Sequence, residues 1–270
     1  MELLEWNGYT INDKIGCGRF GSVYTVNKNG VTYAAKISTE RSKKKWLPLV
    51  SLTRELEVLI MLKDKPGVSH LIDALPSFES PRVLIMEFVP GVTLDVYSPV
   101  MGGTLLSDDK FLTVAKQLIE IIHMLHSCNI AHRDIKLDNI IYDDTNVTLV
   151  DFGSATSKGS TELMGSILYI SPDVLNAHDE HTFLSLDVLK QSDLYAVGIT
   201  LYLLANDTPP YPITELNCGV NFRPDVSQYR KSDKFNNLID LLISNFTNIK
   251  FEVLLNSINN GWQAIDSERG

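Results

Sequence analysis

A short polar run near the middle of the chain has residue types and spacing suited to proton and metal chemistry. Within residues 131–139, Asp134 can accept a proton from a hydroxyl group, and Lys136 places a cation two residues later. Asn139 and, twelve residues further on, Asp151 offer the oxygen atoms that divalent cations such as Mg²⁺ prefer. Each residue alone is more commonly a cap or turn residue. Their joint occurrence predicts an active site with one base and two metal ligands.

Three glycines near the N terminus, Gly16, Gly18 and Gly21, lie in a region that alternates in the manner of an antiparallel sheet. Asn29-Gly30 between two β-rich runs predicts a hairpin, because a tight primed turn needs positive φ angles. The glycines therefore lie between two strands, whereas a dinucleotide-binding glycine motif must open a helix. Taken alone, such a motif is more often an ordinary flexible turn.

Helices and strands must position these residues. A helix is predicted from Pro48 to about Leu62, since leucines recur on one face and proline suits the first helical turn. Residues 82–91 predict a buried strand that ends at a Pro-Gly breaker. Ser107 offers helix-start chemistry before an apolar stripe. The stripe consists of Phe111, Ala115, Leu118, Ile122 and Leu125.

Short strands are predicted at residues 130–134, 140–142 and 147–150, around loops, and they leave Asp134, Asn139 and Asp151 close together at their ends. Residues 194–204 are almost continuously apolar, which is typical of a buried helix. Asp193 immediately precedes this run, and an N-cap role would explain it.

These segments, in this order, resemble the eukaryotic-type serine/threonine protein kinase family over about residues 9–260. The resemblance rests on the glycine loop, Lys36, Glu55, His132-Arg133-Asp134, Asn139, Asp151-Phe152-Gly153 and Asp193. It implies an α+β, bilobal fold with a small antiparallel β-sheet lobe plus one helix at about residues 1–86. A hinge at 87–91 and a larger, mainly α-helical lobe at 92–270 follow, with ATP between the lobes.

The resemblance also implies a role for each polar residue, including Asp193, which would brace the backbone of the catalytic loop. Asp134 would orient and deprotonate the acceptor hydroxyl, and Lys136 would neutralise the γ-phosphoryl group and accompany Ser/Thr specificity. Asn139 and Asp151 would hold Mg²⁺, or Mn²⁺ in its place. A solvated helical acid would explain Glu55 alone. The family register instead pairs it with Lys36, with Glu57 as the competing acid.

The nucleotide contacts carry over in the same way. By resemblance, Met86 is the gatekeeper behind the adenine pocket, and the backbone of Glu87 and Val89 binds the base. The glycines would let the backbone approach the phosphates closely. The full expected set is Ile15, Gly16, Gly18, Gly21, Val23, Ala34, Lys36, Met86, Glu87, Val89 and Ile141.

The chain departs from the family after the catalytic segment. Residues 165–173 resemble the substrate-facing loop, with Ser166 keeping its hydroxyl, but they end in Ser-Pro-Asp instead of Ala-Pro-Glu. The Arg that normally pairs with the closing Glu is missing, and Lys250 is the nearest candidate partner for Asp173. Residues 174–192 are several residues longer than usual, and 176–181 are expected to form a surface loop. The brief segment from Gly153 to Gly165 predicts activity without phosphorylation.

Two alternatives come from these departures. An ATP-binding pseudokinase or scaffold is suggested by the altered Ser171-Pro172-Asp173, although the catalytic residues are all present. A small-molecule kinase is disfavoured by the complete substrate-facing loop.

Charge is divided unevenly along the 270 residues, whose net charge is −9. Residues 1–86 carry +3 and residues 87–270 carry −12. Global acidity argues against direct nucleic-acid binding, and an acidic larger part favours a basic protein substrate, although a solvated acidic surface explains it equally well. A narrower resemblance, to the small protein kinases of large DNA viruses such as baculoviruses, implies a basic, protamine-like substrate.

Composition and sequence pattern limit the size of the core and the cellular location that we expect for the protein. With 44% hydrophobic residues, the chain can bury a sizeable core in one large domain or two unequal lobes. The first residues are acidic where a secretory leader would be basic, and no run approaches the roughly 18 apolar residues of a membrane helix. The three widely spaced cysteines are Cys17, Cys128 and Cys218, and we expect them to be reduced. The expected location is the cytoplasm or nucleus.

Overall fold

The computed structural model describes residues 2–17, 21–38, 47–206, 210, 233–244 and 246–259. The chain forms two compact units, one of Met1–Pro90 with Val150–Ala155 and one of Gly91–Leu149 with Thr156–Gly270. The first boundary lies within the predicted hinge at 87–91. Residues 150–155, assigned by sequence to the larger lobe, instead belong to the first unit.

The first unit is built on an antiparallel five-stranded sheet in the order β1-β2-β3-β5-β4. The strands are β1 (Thr10–Cys17), β2 (Gly21–Lys28), β3 (Val31–Ser38), β4 (Leu71–Leu75) and β5 (Val83–Glu87). Its helices are α1 (Glu2–Trp6) and α2 (Leu47–Met61), the second close to its predicted span. Asn29 and Gly30 have φ angles of 55° and 81°, which confirms the predicted hairpin turn between β2 and β3.

The two faces of this sheet have different compositions. Tyr24, Ala35 and Ile85 are cross-strand neighbours on one face, where an apolar core also includes Leu4 and Tyr9. The opposite face holds a second set of cross-strand neighbours, because side chains alternate along a strand. This set comprises Val23, Ala34, Lys36, Leu84 and Met86. We call it the lysine face.

The second unit is mainly helical. Its helices are α3 (Asp108–Ser127), α4 (Pro172–Asp179), α5 (Leu186–Ala205), α6 (Asp233–Ser244) and α7 (Phe251–Asn259). A small sheet in the order β6-β7-β8 comprises Val92–Thr93, Ile140–Tyr142 and Val147–Leu149. An antiparallel sheet in the N-terminal part and helices in the rest confirm the predicted fold class. None of the helices in the described ranges is long and apolar enough to cross a membrane.

Helix α5 differs from its prediction at its start. It begins at Leu186, eight residues before the apolar run, and the side chain of Ser185 caps it by accepting from the amide of Val188. Asp193 therefore lies inside the helix, so an N-cap role for it is wrong. Every residue from Asp193 to Ala205 is buried, as expected for a central helix.

Other sequence expectations also change. Residues 176–179, expected in a surface loop, continue α4, because Pro172 suits its first turn and no breaker follows. Only Ala131 of the strand expected at 130–134 pairs, in an isolated bridge with Thr156. Helix α1 and strands β4 and β6 had no sequence prediction.

Candidate active site

Lys36 is the centre of a buried charge cluster in the first unit. Its Nζ donates to Oε2 of Glu55 at 2.5 Å and to Oδ1 of Asp151 at 2.6 Å. The side chains of Lys36 and Glu55 are 6% and 1% exposed, whereas that of Asp151 is 40% exposed. Glu57, the competing acid, is exposed on the same helix. Lys36 thus joins α2 to the start of the Asp151-Phe152-Gly153 segment.

The surroundings of the cluster shift the pKa values of Lys36 and Glu55. Burial alone would lower the pKa of Lys36, but Asp151 and then Glu55 outweigh it and hold that pKa above its ordinary value. Burial raises the pKa of Glu55 to about 6, against the opposing effect of Lys36. Lys36 therefore stays a cation at neutral pH, and Glu55 titrates on the acid side of neutrality.

Ser51 holds the Asp151-Phe152-Gly153 segment against α2. Its Oγ donates to the carbonyl of Gly153 at 2.9 Å, and the Gly153 amide donates to Oδ1 of Asp151 at 3.2 Å. A Cβ on Gly153 would lie 2.7 Å from the Ser51 hydroxyl, so the contact requires glycine. Sequence reasoning missed Ser51. Its spacing of one helical turn before Glu55 is the signal that could have found it, because residues i and i+4 share a helix face.

The glycine loop is only partly described. Gly16 lies in β1 opposite Val23, and a Cβ there would make only ordinary contacts. A Cβ on Gly21 would lie 2.5 Å from the carbonyl oxygen of Ile37, so packing requires glycine at this position. Ile15 is 52% exposed. Gly18 lies outside the described residues.

The expected adenine contacts lie at the end of β5. Met86 is buried opposite Ala34 on the lysine face. The amide of Glu87 donates to the carbonyl of His70 at 2.8 Å, so a base would have to use the carbonyl of Glu87 instead. Val89 is half-buried beyond the strand. Ile141, the remaining predicted contact, lies in β7 of the second unit.

Asp134 is fixed in the second unit by three side chains. Its Oδ1 accepts from Ser166 Oγ at 3.1 Å, and its Oδ2 lies 3.1 Å from Lys136 Nζ. Lys136 also donates to Ser166 Oγ at 3.1 Å, which closes a triangle of contacts. Asn139 Nδ2 donates to the carbonyl of Asp134 at 2.8 Å and to its Oδ2 at 3.1 Å. A hydroxyl placed here would meet a carboxylate acceptor and an ammonium group together.

Asp193 holds the backbone that precedes Asp134. Its Oδ2 accepts from the amide of His132 and its Oδ1 from that of Arg133, each at 2.8 Å. Nε2 of His126 lies 3.1 Å from Oδ2. Arg133 has a φ of 63°, a conformation that costs free energy in a residue with a side chain. The buried carboxylate of Asp193 stabilises this strained turn.

Sequence reasoning missed His126. The signal that could have found it is its spacing, because His126 follows Ile122 by four residues at the end of the apolar stripe of α3. In the structure His126 is only 9% exposed. A buried imidazole requires a polar partner, and Asp193 supplies it.

The substrate-facing segment approaches the catalytic backbone closely at Gly165. A Cβ there would lie 2.3 Å from the carbonyl oxygen of Arg133, and Gly165 has a φ of 98°. This approach places Ser166 beside Asp134. Asp173 at the end of the segment is exposed, and within the described ranges it makes no ion pair with Lys250.

Asn139 of the second unit and Asp151 of the first unit each carry an oxygen donor of the kind that a hard divalent cation prefers. Because the Asn139 amide nitrogen donates to Asp134, its carbonyl oxygen is the atom that remains for a metal. Asp151 contributes a partly exposed carboxylate. Oxygen donors of this kind fit Mg²⁺, with Mn²⁺ as a substitute.

Comparison with known proteins gives one family. The protein kinase domain family matches residues 9–248. Testis-specific serine/threonine-protein kinase 3 of Mus musculus is 29% identical over 220 residues, which are 78% of this chain and 78% of that protein. Serine/threonine-protein kinase 36 of Pongo abelii is 31% identical over 224 residues, 77% of this chain but 15% of that protein. Calcium-dependent protein kinase 12 of Oryza sativa subsp. japonica is 26% identical over 213 residues, 75% of this chain and 38% of that protein. The chain thus spans less than half the length of the last two relatives.

Proposed function

Because the chain belongs to the protein kinase family, we propose that it transfers the γ-phosphoryl group of ATP to Ser or Thr hydroxyl groups of protein substrates. The observation that carries this proposal is the triangle of Asp134, Lys136 and Ser166, with its 3.1 Å contacts. It combines a proton acceptor with a cation at the position where a substrate hydroxyl must be aligned. The relatives named serine/threonine-protein kinases support the same hydroxyl class.

The transfer needs alignment and charge compensation more than covalent work by the protein. The Asp134 carboxylate orients the acceptor hydroxyl and takes its proton as the bond from that oxygen to the γ-phosphorus forms and the γ-phosphorus–oxygen bond to ADP breaks. Lys136 neutralises the transferring group, and Lys36 binds the α- and β-phosphates. Glu55 and Asp151 align Lys36 through the contacts described above. When bound by Asn139 and Asp151, Mg²⁺ supplies further positive charge.

A basic protein is the proposed substrate class. Residues 87–270, which include the base and the substrate-facing segment, carry −12, whereas residues 1–86 carry +3. A field of this sign attracts cationic chains and repels acidic ones. An arginine-rich, protamine-like protein has the matching chemistry.

A second candidate is a pseudokinase that binds ATP without transferring phosphate. It is favoured by the exposed Asp173, which makes no ion pair with Lys250 within the described ranges. Against it stand Lys36, Asp134 and Asp151, the residues whose loss would be expected in such a protein.

Phosphate transfer from γ-labelled ATP separates the two candidates. We expect labelling of an Arg-rich protein on Ser or Thr, with Asp134→Asn lowering kcat by about 10²–10⁴-fold while ATP binding persists. Asp138→Asn, an exposed acid in the same loop, is the matched control and should retain activity within twofold. ATP binding without transfer in the wild-type chain would establish the pseudokinase instead. Preference for acidic over Arg-rich peptides would overturn the substrate class alone.

A further inference from the structure

The connection between α4 and α5 pairs with the segment that leads to Ser166. We call residues 180–185 of this connection the strap. The amide of Ser160 donates to the carbonyl of Leu184 at 2.9 Å, and the amide of Leu184 donates back to the carbonyl of Ser160 at 3.0 Å. This two-bond antiparallel bridge joins the strap to the substrate-facing side of the second unit.

Close approach at Gly159 makes this pairing possible. A Cβ on Gly159 would lie 2.4 Å from the carbonyl oxygen of Leu184 and 2.3 Å from Cζ of Phe183. The φ angle of Gly159 is not in the left-handed region, so its own backbone does not require glycine. The requirement comes from the strap, whose main chain lies where a side chain would be.

The side chain of Leu184 links the strap to the catalytic loop. It is 8% exposed in an apolar cluster with Ala131 and Val174, and Leu163, two residues before Gly165, packs against the same cluster. Ala131 directly precedes His132-Arg133-Asp134, and its amide and carbonyl pair with Thr156. One cluster therefore contacts the strap, the segment and the start of the catalytic loop.

Both ends of the strap are fixed. At the C terminus of α4, His181 adopts a φ of 55°, and the amide of Thr182 donates to the carbonyl of Ala177 at 2.8 Å. This arrangement closes the helix in the manner of a Schellman motif and turns the chain toward Ser160. At the other end, Ser185 caps α5. With six residues between two capped helices, the position of Leu184 is closely defined.

Two of the five residues that carry hydroxyl groups between Gly153 and Gly165 are buried. Ser154 and Thr156 are 4% and 8% exposed, and Ser160 Oγ accepts from the amide of Glu162 at 3.0 Å. Ser157 and Thr161 are exposed. Among the described residues, the contacts that hold the segment include main-chain pairs, hydroxyl groups and apolar side chains.

We infer that Leu184 is a positioning residue, through which the strap holds residues 159–166 in the arrangement that keeps Ser166 beside Asp134 without phosphorylation of the segment. This inference rests on the proposed function. It gives the 174–192 connection a role in positioning the substrate-facing loop.

The full chain carrying Gly159→Ala tests the strap with one added methyl group. We expect kcat/KM for an Arg-rich peptide to fall roughly 10- to 100-fold, because misplacement by about 1 Å costs on that order, while KM for ATP stays within twofold. Hydrogen exchange of the amides of Ser160 and Leu184 should accelerate. Ser157→Ala, an exposed neighbour in the same segment, is the matched control and should behave as wild type.

Two further measurements keep the inference testable if that variant folds poorly. Leu184→Ala should lower kcat/KM for the peptide, and the volume-conserving Leu184→Met should restore most of it. Wild-type protein treated with phosphatase, with complete dephosphorylation verified by mass spectrometry, should retain activity within twofold.

The outcomes separate the two proposals. Absence of peptide phosphorylation by any form of the wild-type chain refutes the proposed function. If the wild type is active, the inference about the strap is overturned by either of two results. One is a kcat/KM for the peptide that equals the wild-type value in both Gly159→Ala and Leu184→Ala. The other is a loss of more than tenfold in wild-type activity on dephosphorylation.

Discussion

The two charge clusters hold their acids in opposite ways. In the first unit, Lys36 and Glu55 are 6% and 1% exposed and stabilise each other as a buried ion pair. In the second unit, Asp134 and Lys136 remain 13% and 23% exposed, and the backbone beneath them is held by the buried Asp193. The first cluster depends on direct pairing of side chains. The second depends on a main chain fixed in a strained turn.

This difference predicts where each cluster is vulnerable. Lys36 contacts two acids, so the loss of one leaves the other in place. The amides of His132 and Arg133 both bind Asp193, so one substitution removes the acceptor from both. We therefore expect the lysine cluster to tolerate the loss of one acid better than the catalytic loop tolerates the loss of Asp193.

Asp193→Asn should have the largest effect on stability. The amide side chain of Asn has one acceptor oxygen in place of two, so one of the two main-chain N–H groups would lose its partner in a buried position. We expect this loss to lower the free energy of unfolding by about 3–5 kcal/mol. Denaturant unfolding measures this change. Asp187→Asn, an exposed acid in the first turn of the same helix, is the control and should change stability by less than about 0.5 kcal/mol. Equal effects of the two variants would contradict the role of Asp193.

Gly165→Ala should act mainly on turnover. The added methyl group would meet the carbonyl of Arg133, and the φ of 98° strains any residue with a side chain. We expect kcat to fall by about 10²-fold, with stability reduced by about 1–3 kcal/mol. Steady-state kinetics alongside thermal unfolding measure both. A kcat within twofold of wild type would show that Ser166 need not lie where Gly165 places it.

Glu55 should give the first unit a distinctive pH dependence. Its pKa is about 6 in the folded protein against an ordinary value of 4.5, so the folded chain retains a proton that the unfolded chain loses between these values. The stability from this group is complete below pH 4.5 and is lost as the pH rises through 6.

The comparison variant is Glu55→Gln, which cannot titrate. From pH 4.5 to neutrality, wild type should lose about 2 kcal/mol of unfolding free energy relative to this variant. Parallel stability curves for the two proteins across that range would contradict the raised pKa.

Ser51→Ala should have the smallest effect, because a single hydrogen bond to the Gly153 carbonyl is removed. The expected cost is about 1 kcal/mol in unfolding free energy. Ser69 is a matched control in the same unit, since it is 4% exposed and its hydroxyl has no partner among the described residues. Ser69→Ala should be neutral or slightly stabilising. A larger loss from Ser69→Ala than from Ser51→Ala would contradict the assignment.

The parts that sequence predicted well are those specified by local pattern. Alternation and Asn29-Gly30 predicted the β2–β3 hairpin, and leucine spacing predicted α2. The pairing partners that sequence missed, Ser51 and His126, contact residues 102 and 67 positions away. Nothing in the local pattern specifies contacts at such separations.

Residues 174–192 show where local reasoning was wrong. Within this connection, residues 176–181 were expected to form a surface loop. Helix α4 extends through Asp179 with one buried residue, Val174, and α5 begins well before its apolar run. The few contacts that hold this region include Leu184 with Ser160 and the cluster around Ala131, which are distant in sequence.

The sequence by itself predicted the kinase family of this protein, because a carboxylate, a cation and oxygen donors at set spacing, in a set order along the chain, resemble that family. It also determined which segments are strands and helices wherever a period of two or of 3.6 is evident. The family register favoured Glu55 over Glu57 as the partner of Lys36, and the structure has that pair. Tertiary structure alone decided that Asp193 holds the strained turn from within a helix and not from its N-cap. It alone decided that Leu184 reaches Ser160. Each of these contacts joins residues far apart along the chain, and their formation depends on burial and packing that no local window contains.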